Sequence, residues 1–368
     1  MDFQYYMPVH IVSGEDCVKK NARLFRELGS NVLVVTGKSS AKNGALEDAI
    51  FAFQLNGQKY TVFDRVPNNP TVACVEEGAA MAAACKADCV VAIGGGSPMD
   101  AAKAIAMRAR QSAPEGMFAH AITQDVLPMA HIPTTAGTGS EVTPYAIITN
   151  DEKQTKTSIS APSLFPVYAF LDAKYMSSLP QSITINTALD ALSHAVEGML
   201  SVRASLVTDA LARESISLLL EEYDNLLKGE YSPQSRRNLL HGSALAGMVI
   251  ANTGTSPVHG MGYSLTYFHD VPHGRANGLL LPAFLKACKE KIPQRAEEIY
   301  HALGMDAQTF SEKVGALLGK REVYPDSELQ DYAARASQNK NIKNCSAFFS
   351  REDLLSVLRA SLGDGTAV

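Results

Sequence analysis

The stretch Asp88–Lys103 reads D-C-V-V-A-I-G-G-G-S-P-M-D-A-A-K and constrains the fold more than any other part of the chain. Asp88–Ile93 is short, apolar and rich in β-branched residues, the pattern of a buried strand. Gly94, Gly95 and Gly96 end it. Ser97 then suits the N-cap of a helix, Pro98 its first position, and Asp100 the third, where a carboxylate reaches back to the cap. Glycines let the backbone approach a ligand and expose its N–H groups, while the helix start adds partial positive charge. Together they bind phosphate. The plainer reading is a glycine turn between strand and helix with no ligand. No Lys-Ser/Thr pair follows, which disfavours a P-loop nucleotidase.

The surrounding sequence repeats the same alternation. Asn31–Thr36, Tyr60–Phe63, Met129–Ile132, Tyr145–Thr149 and Val167–Leu171 read as further strands, and Thr71–Ala87, dominated by Ala, Glu and Met, reads as a helix. Strand–helix alternation predicts a parallel sheet with helices on both faces. The opening segment, Phe3–Val12, alternates weakly and suits an edge hairpin or an arm pairing with another subunit. From about Gln181 the texture changes: Ser182–Ser201, Thr208–Lys228, Ser235–Thr253 and Leu279–Lys291 carry helical periodicity. The expectation is an α/β domain over residues 1–180 and an all-α domain over 181–368, divided at Leu179-Pro180 because proline disfavours helix in the residue before it.

At 368 residues the chain suits two cores rather than one. A net charge of −5 gives no general attraction for nucleic acid or an anionic membrane. Apolar runs such as Cys89–Ile93 are far too short to cross a bilayer. The start, with Asp2, Gln4 and Pro8, has neither the basic region nor the apolar core of a signal peptide, so a cytoplasmic location is expected. Six scattered cysteines do not form a disulfide framework and read as reduced, mostly buried thiols.

A second polar, glycine-rich run, Pro133–Glu141 (P-T-T-A-G-T-G-S-E), also follows a strand. In a doubly wound sheet both runs lie beyond the C-terminal strand ends, where ligands bind. Thr134, Thr135 and Thr138 thereby join Gly95, Gly96, Ser97 and Asp100 as candidate cofactor contacts. The strand ending at Thr36 continues Gly37-Lys38-Ser39-Ser40. Recognition of an adenosine 2′-OH calls for Asp or Glu there. Gly37, Lys38, Ser39 and Ser40 instead suit an extra phosphate, which points to NADP, with NAD the alternative.

In the helical half, Leu189–Val196 (L-D-A-L-S-H-A-V) places Asp190 and His194 four apart on one helix face. An unpaired carboxylate and imidazole among apolar residues are costly, and a metal ion satisfies both, as would hydrogen-bonded core partners. Val258–Gly274 adds His259, His269 and His273 among small residues. One carboxylate with two or three imidazoles makes a mixed N/O site for Fe²⁺ or Zn²⁺.

As a set, Gly94–Asp100, Pro133–Glu141, D-A-L-S-H-A-V-E-G at Asp190–Gly198, and the histidines at 259 and 273 resemble the iron-containing, or group III, alcohol dehydrogenases. The resemblance covers nearly the whole chain. It implies a Rossmann-like N-terminal domain and a helical C-terminal domain, the architecture shared with dehydroquinate synthase, with metal and substrate in the cleft between them. The implied metal ligands are Asp190, His194, His259 and His273, with Lys156 near the nicotinamide and Asn69 near the cofactor. A homodimer or higher homo-oligomer is implied, since the opening strand often serves as a dimer contact. Many members carry a further histidine four residues after the third ligand. Here that position is Tyr263, and His269 lies six residues beyond, so these two are the candidates for proton transfer. NAD-dependent members often have Asp where this chain has Gly37. The expected reaction is hydride transfer between NAD(P) and a small alcohol or aldehyde at the metal. The alternatives are a metal- and NAD-dependent sugar-phosphate cyclase-like lyase, for which mainly Lys156 and Arg275 offer nearby cations, and a non-enzymatic nucleotide-binding protein.

Overall fold

The computed structural model describes residues 2–38, 42–113 and 115–364, and within them the chain divides into two compact units. One comprises Met7–Leu179 together with Ser232–Leu240. The other comprises the residues up to Tyr6, Pro180–Tyr231, and those from His241 onward.

The first unit holds strands β1 (His10–Ser13), β2 (Asn31–Thr36), β3 (Lys59–Phe63), β4 (Cys89–Gly94), β5 (Met129–Pro133), β6 (Tyr145–Asn150), β7 (Thr155–Ser160) and β8 (Tyr168–Leu171). Six of them form one parallel sheet in the order β1-β8-β5-β4-β2-β3. The two-residue period of a strand sends alternate side chains to opposite faces. Leu33, Val35, Val90 and Ala92 therefore join one core, and Val32, Val34, Val91 and Ile93 the other. The first core is closed by α4 (Val72–Ala84) and α5 (Gly96–Arg108). The second is closed by α1 (Cys17–Lys20), α2 (Arg23–Leu28) and α3 (Ala45–Asn56). Because β2 leads outward to β3 on one side while β4 lies on its other side, the strand order reverses between β2 and β4.

Three local expectations need correction. Tyr145–Thr149 is a strand, but it lies outside the parallel sheet and pairs antiparallel with β7 as a separate ribbon. The connection Asp151–Gln154 is only a turn, with Gln154 in the left-handed region, and no helix is available for a parallel crossover. Ser97 is not an N-cap: helix α5 begins at Gly96 with Gly95 as its cap residue, so the cap carries no side-chain acceptor. Finally, the end of the opening segment is not a hairpin. His10–Ser13 is the parallel edge strand beside β8, while Tyr6 donates its N–H to Asn252 at 2.8 Å.

The second unit is helical: α6 (Gln181–Leu200), α7 (Leu206–Glu221), α8 (Tyr223–Lys228), α9 (Pro233–Thr253, of which the part from His241 belongs here), α10 (Pro257–His269), α11 (His273–Lys291), α12 (Pro293–Leu303), α13 (Ala307–Leu318), α14 (Asp326–Ser337) and α15 (Arg351–Leu362). Thr208–Lys228 breaks at Glu222 into two helices, and α11 starts six residues earlier than its apolar periodicity suggests. Helix α10 escapes a periodicity reading because its glycines and histidines interrupt the apolar stripe.

Two glycines bring α11 against α6. A Cβ on Gly274 would stand 1.9 Å from the Asn186 carbonyl oxygen, and one on Gly278 would stand 2.9 Å from Leu189. Backbone at 1.9 Å cannot rotate away, so Gly274→Ala is expected to force the helices apart at a cost of about 1–3 kcal/mol. Thermal unfolding followed by circular dichroism checks this. Gly315→Ala, whose Cβ meets nothing within 4 Å, is the control expected to hold or raise the midpoint.

Candidate active site

The loops after β2, β4 and β5 lie side by side because their strands are neighbours. Gly94 pairs with Pro133, and Thr134 donates its N–H to the Gly94 carbonyl at 2.8 Å. A Cβ on Gly95 would meet Thr135 Oγ1 at 2.9 Å, and one on Gly96 would meet Thr138 Cγ2 at 2.6 Å. The structure thus brings Gly95, Gly96, Ser97, Thr134, Thr135 and Thr138 into one surface, with buried Gly37 at the end of adjacent β2. Ser97 Oγ donates to the Asn68 carbonyl, which ties the loop after β3 and half-buried Asn69 to the same edge. Ser39 and Ser40 lie outside the described residues.

Asp100 does not reach back to the helix start. Its Oδ1 accepts from Ser140 Oγ at 2.6 Å and its Oδ2 from the Ile147 N–H at 3.0 Å. Beside it, fully buried Lys103 donates to Ser140 Oγ at 2.7 Å, to the Tyr145 carbonyl at 2.8 Å and to Thr143 Oγ1 at 3.3 Å. Lys156, on β7, acts on Asp100 through its charge. Sequence reasoning missed Lys103, and a lysine among alanines on an otherwise apolar helix was the available signal. Burial lowers Lys103 to about 8 against the pull of Asp100 and Glu141. Burial also raises Glu141 to about 7, opposed by its own backbone N–H and by Lys103. His131 is held well below its ordinary value by burial and the Lys103 charge, so it is neutral.

In the helical unit, α6, α10 and α11 converge on one carboxylate. Asp190 Oδ1 lies 3.7 Å from His259 Nε2, 3.9 Å from His273 Nε2 and 4.0 Å from His194 Nε2. The His194 and His259 rings stack at 4.6 Å, and the His259 and His273 rings meet edge-on at 5.1 Å. Burial disfavours the Asp190 anion, but the three imidazoles, His194 foremost, together with the Asn277 amide hold its pKa below the ordinary value. Asn277 Nδ2 donates to Asp190 Oδ1 at 2.8 Å and lies 3.0 Å from His259 Nε2. It too was missed, although it sits one helical turn after His273.

The donor set fits a divalent cation. One oxygen and two or three nitrogens bound at about 2.0–2.2 Å in a tetrahedron stand about 3.3–3.6 Å apart, close to the separations seen here. Asp190, His194 and His259 are buried, whereas the His273 side chain is 27% exposed, which leaves that side of the cluster accessible.

The proton-relay candidates part company. The Tyr263 ring stacks on His273 at 5.9 Å. His269 is not brought to the cluster: it lies ten residues along α10 from His259, about 15 Å by helical rise. Its Nε2 instead meets Tyr332 Oη at 2.7 Å and Glu328 at 3.0 Å. Arg275 is engaged with Glu322 at 2.6 Å and with the Leu318 carbonyl at 2.7 Å.

Comparison with known proteins defines the class. Residues 8–173 match the model described as iron-containing alcohol dehydrogenase, and residues 184–362 match its C-terminal counterpart. The chain is 32% identical over 285 residues to lactaldehyde reductase of Escherichia coli (strain K12), covering 76% of this chain and 74% of that one. The crystal structure of an iron-containing alcohol dehydrogenase from Thermotoga maritima is 37% identical with a TM-score of 0.89, covering 98% of this chain and 99% of that one. Sulfoacetaldehyde reductase from Bifidobacterium kashiwanohense, solved in complex with NAD⁺, is 27% identical with a TM-score of 0.88 over the whole of both chains. The protein is an NAD(P)-dependent alcohol dehydrogenase. It belongs to the iron-containing alcohol dehydrogenase family. The lyase and non-enzymatic readings are not favoured.

The Glu141 environment predicts a pH dependence. With its pKa raised from 4.5 to about 7, the folded state holds more protons than the unfolded state inside that window. Stability from this group is therefore fully present below pH 4.5 and is lost as pH rises through about 7. Glu141→Gln is expected to flatten this slope and to raise the unfolding midpoint above neutrality, by at most about 3 kcal/mol of stability. Denaturation across a pH series checks it, and an unchanged slope would contradict the assignment.

Proposed function

We propose that Asp190, His194, His259 and His273 hold a divalent cation, iron or alternatively zinc, at which a small alcohol or aldehyde exchanges hydride with NADP, NAD being the second choice. The observation that carries this reading is the approach of three imidazole nitrogens to a single carboxylate oxygen at 3.7–4.0 Å. The cation supplies Lewis acidity toward the substrate oxygen. The chain's own residues do the rest. Asp190 offsets the cation's charge, and the stacked imidazoles fix its place. In oxidation the alcohol loses its hydroxyl proton and passes hydride from carbon to the nicotinamide, leaving a carbonyl compound and reduced dinucleotide.

Tyr263, packed on His273, is the better candidate for carrying the proton. His269 is the weaker one, since Glu328 and Tyr332 hold it elsewhere. The loops carrying Gly95, Gly96, Ser97, Thr134, Thr135 and Thr138 receive the pyrophosphate at the start of α5. Lys156 and Asn69 complete the cofactor site, and Asp100 supports it through Ser140. The NADP preference rests on β2 ending in Gly37 and Lys38 rather than a carboxylate. A small substrate is supported by relatives named for lactaldehyde and sulfoacetaldehyde. Exposed Phe3 and Tyr6 in the opening segment suit a homodimer or higher homo-oligomer. Free cysteines, and helices too short or too polar to cross a membrane among the described residues, suit the cytoplasm.

Asp190→Ala and His194→Ala are each expected to lose bound metal and turnover together, read by metal analysis and by NADPH oxidation with a panel of short aldehydes, with and without added Fe²⁺ or Zn²⁺. Normal turnover by a metal-free variant would remove the mechanism. Gly37→Asp sets a carboxylate against the extra phosphate. It should lower kcat/KM for NADPH roughly tenfold or more relative to NADH, and an unchanged ratio would remove the NADP assignment.

A further inference from the structure

Glu197 lies three residues beyond His194 on α6 and is completely buried. A carboxylate this deep in a helical core needs partners, and its two oxygens find different ones. Oε1 accepts backbone N–H groups at the start of α10, from Ser256 at 3.0 Å, Val258 at 2.9 Å and His259 at 3.4 Å. These are donors that a helix start leaves without intrahelical acceptors. Oε2 is aimed at the His259 ring and pairs with Nδ1. On the far side of that ring, Nε2 faces Asp190 at 3.7 Å.

A neutral imidazole carries its proton on one nitrogen and a lone pair on the other, and the hydrogen bond made by one fixes the role of the other. With a carboxylate on Nδ1, the proton belongs there and the Nε2 lone pair is presented to the cluster. Simple helix capping accounts for Oε1 but not for the direction of Oε2.

We propose that Glu197 is a positioning residue for the metal site, setting the tautomer and ring orientation of His259. The proposal rests on the reading of Asp190, His194, His259 and His273 as metal ligands. It also predicts that the isosteric amide fails. In Glu197→Gln the side-chain oxygen is retained by the three backbone donors, so the amide nitrogen faces Nδ1. Two donors then meet unless His259 moves its proton to Nε2, the atom needed for the cation. The cap survives and the ligand does not.

The test titrates Zn²⁺-loaded full-length wild type, Glu197→Gln and His259→Ala against a competing chelator, with unfolding midpoints recorded for each. Glu197→Gln is expected to hold Zn²⁺ about 10–100-fold more weakly than wild type, with an unfolding midpoint near that of His259→Ala. Zn²⁺ affinity within about threefold of wild type in Glu197→Gln, alongside loss in His259→Ala, would overturn the role of Glu197 while leaving the metal site intact. Wild-type affinity in His259→Ala would overturn the metal-site reading itself. If Glu197→Gln fails to fold, ¹⁵N spectra of histidine-labelled wild type decide the matter, with the His259 signals assigned by their loss in His259→Ala. A protonated Nδ1 with Nε2 on the metal supports the proposal, and the reverse arrangement overturns it.

Discussion

A buried carboxylate surrounded by imidazoles organises the helical unit. Removed from water, Asp190 is costly on its own, and its partners arrive from three separate helices. His194 is supplied by the next turn of α6, His259 by the first turn of α10, and His273 and Asn277 by α11. The helices must therefore approach closely enough for side-chain nitrogens to reach one oxygen. Gly274 and Gly278 permit this by presenting no side chain to α6. Packing and charge make the same demand here.

In the α/β unit the corresponding constraint is strand adjacency. Parallel pairing of β4 with β5 sets the two glycine-bearing loops next to each other, and reversal of strand order beside β4 opens the edge where dinucleotides bind in sheets of this type. Lys103 and Asp100 then tie Ser140, Thr143 and the start of β6 to helix α5. Residues that look from the sequence like ligand contacts are thus partly employed in holding the loops that make the contacts.

Much of this is legible in the chain itself. The β-branched runs mark the buried strands because burial on both faces leaves nothing polar to confuse the pattern. Asp190 and His194 can be paired from their spacing because one helix carries both. The run that holds His259, His269 and His273 offers imidazoles for the same site, but which of them join Asp190 and His194 is not a matter of spacing, and it entered through resemblance. What failed is instructive. Tyr145–Thr149 has strand composition, but composition does not say which strand it will pair with. Ser97 looks like a cap because Ser-Pro is a common helix start, yet Gly96 before it is already helical and the extended cap residue is Gly95. Helix α10 was hidden because histidines that serve a cluster are polar residues on an inward face. Glu197 and Asn277 were passed over because their importance lies in what they do to other side chains.

The contact of Gly95 with Thr135 and of Gly96 with Thr138 has a further consequence. Each loop forms the wall that limits the other, so the four positions behave as a single inherited character rather than as four independent ones. A bulkier residue on one loop demands a smaller one opposite in the same step. The end of β2 answers to a different neighbour, since a Cβ on Gly37 would stand 3.3 Å from the Val66 carbonyl oxygen, so a change there is set against the loop after β3 rather than against the one after β5.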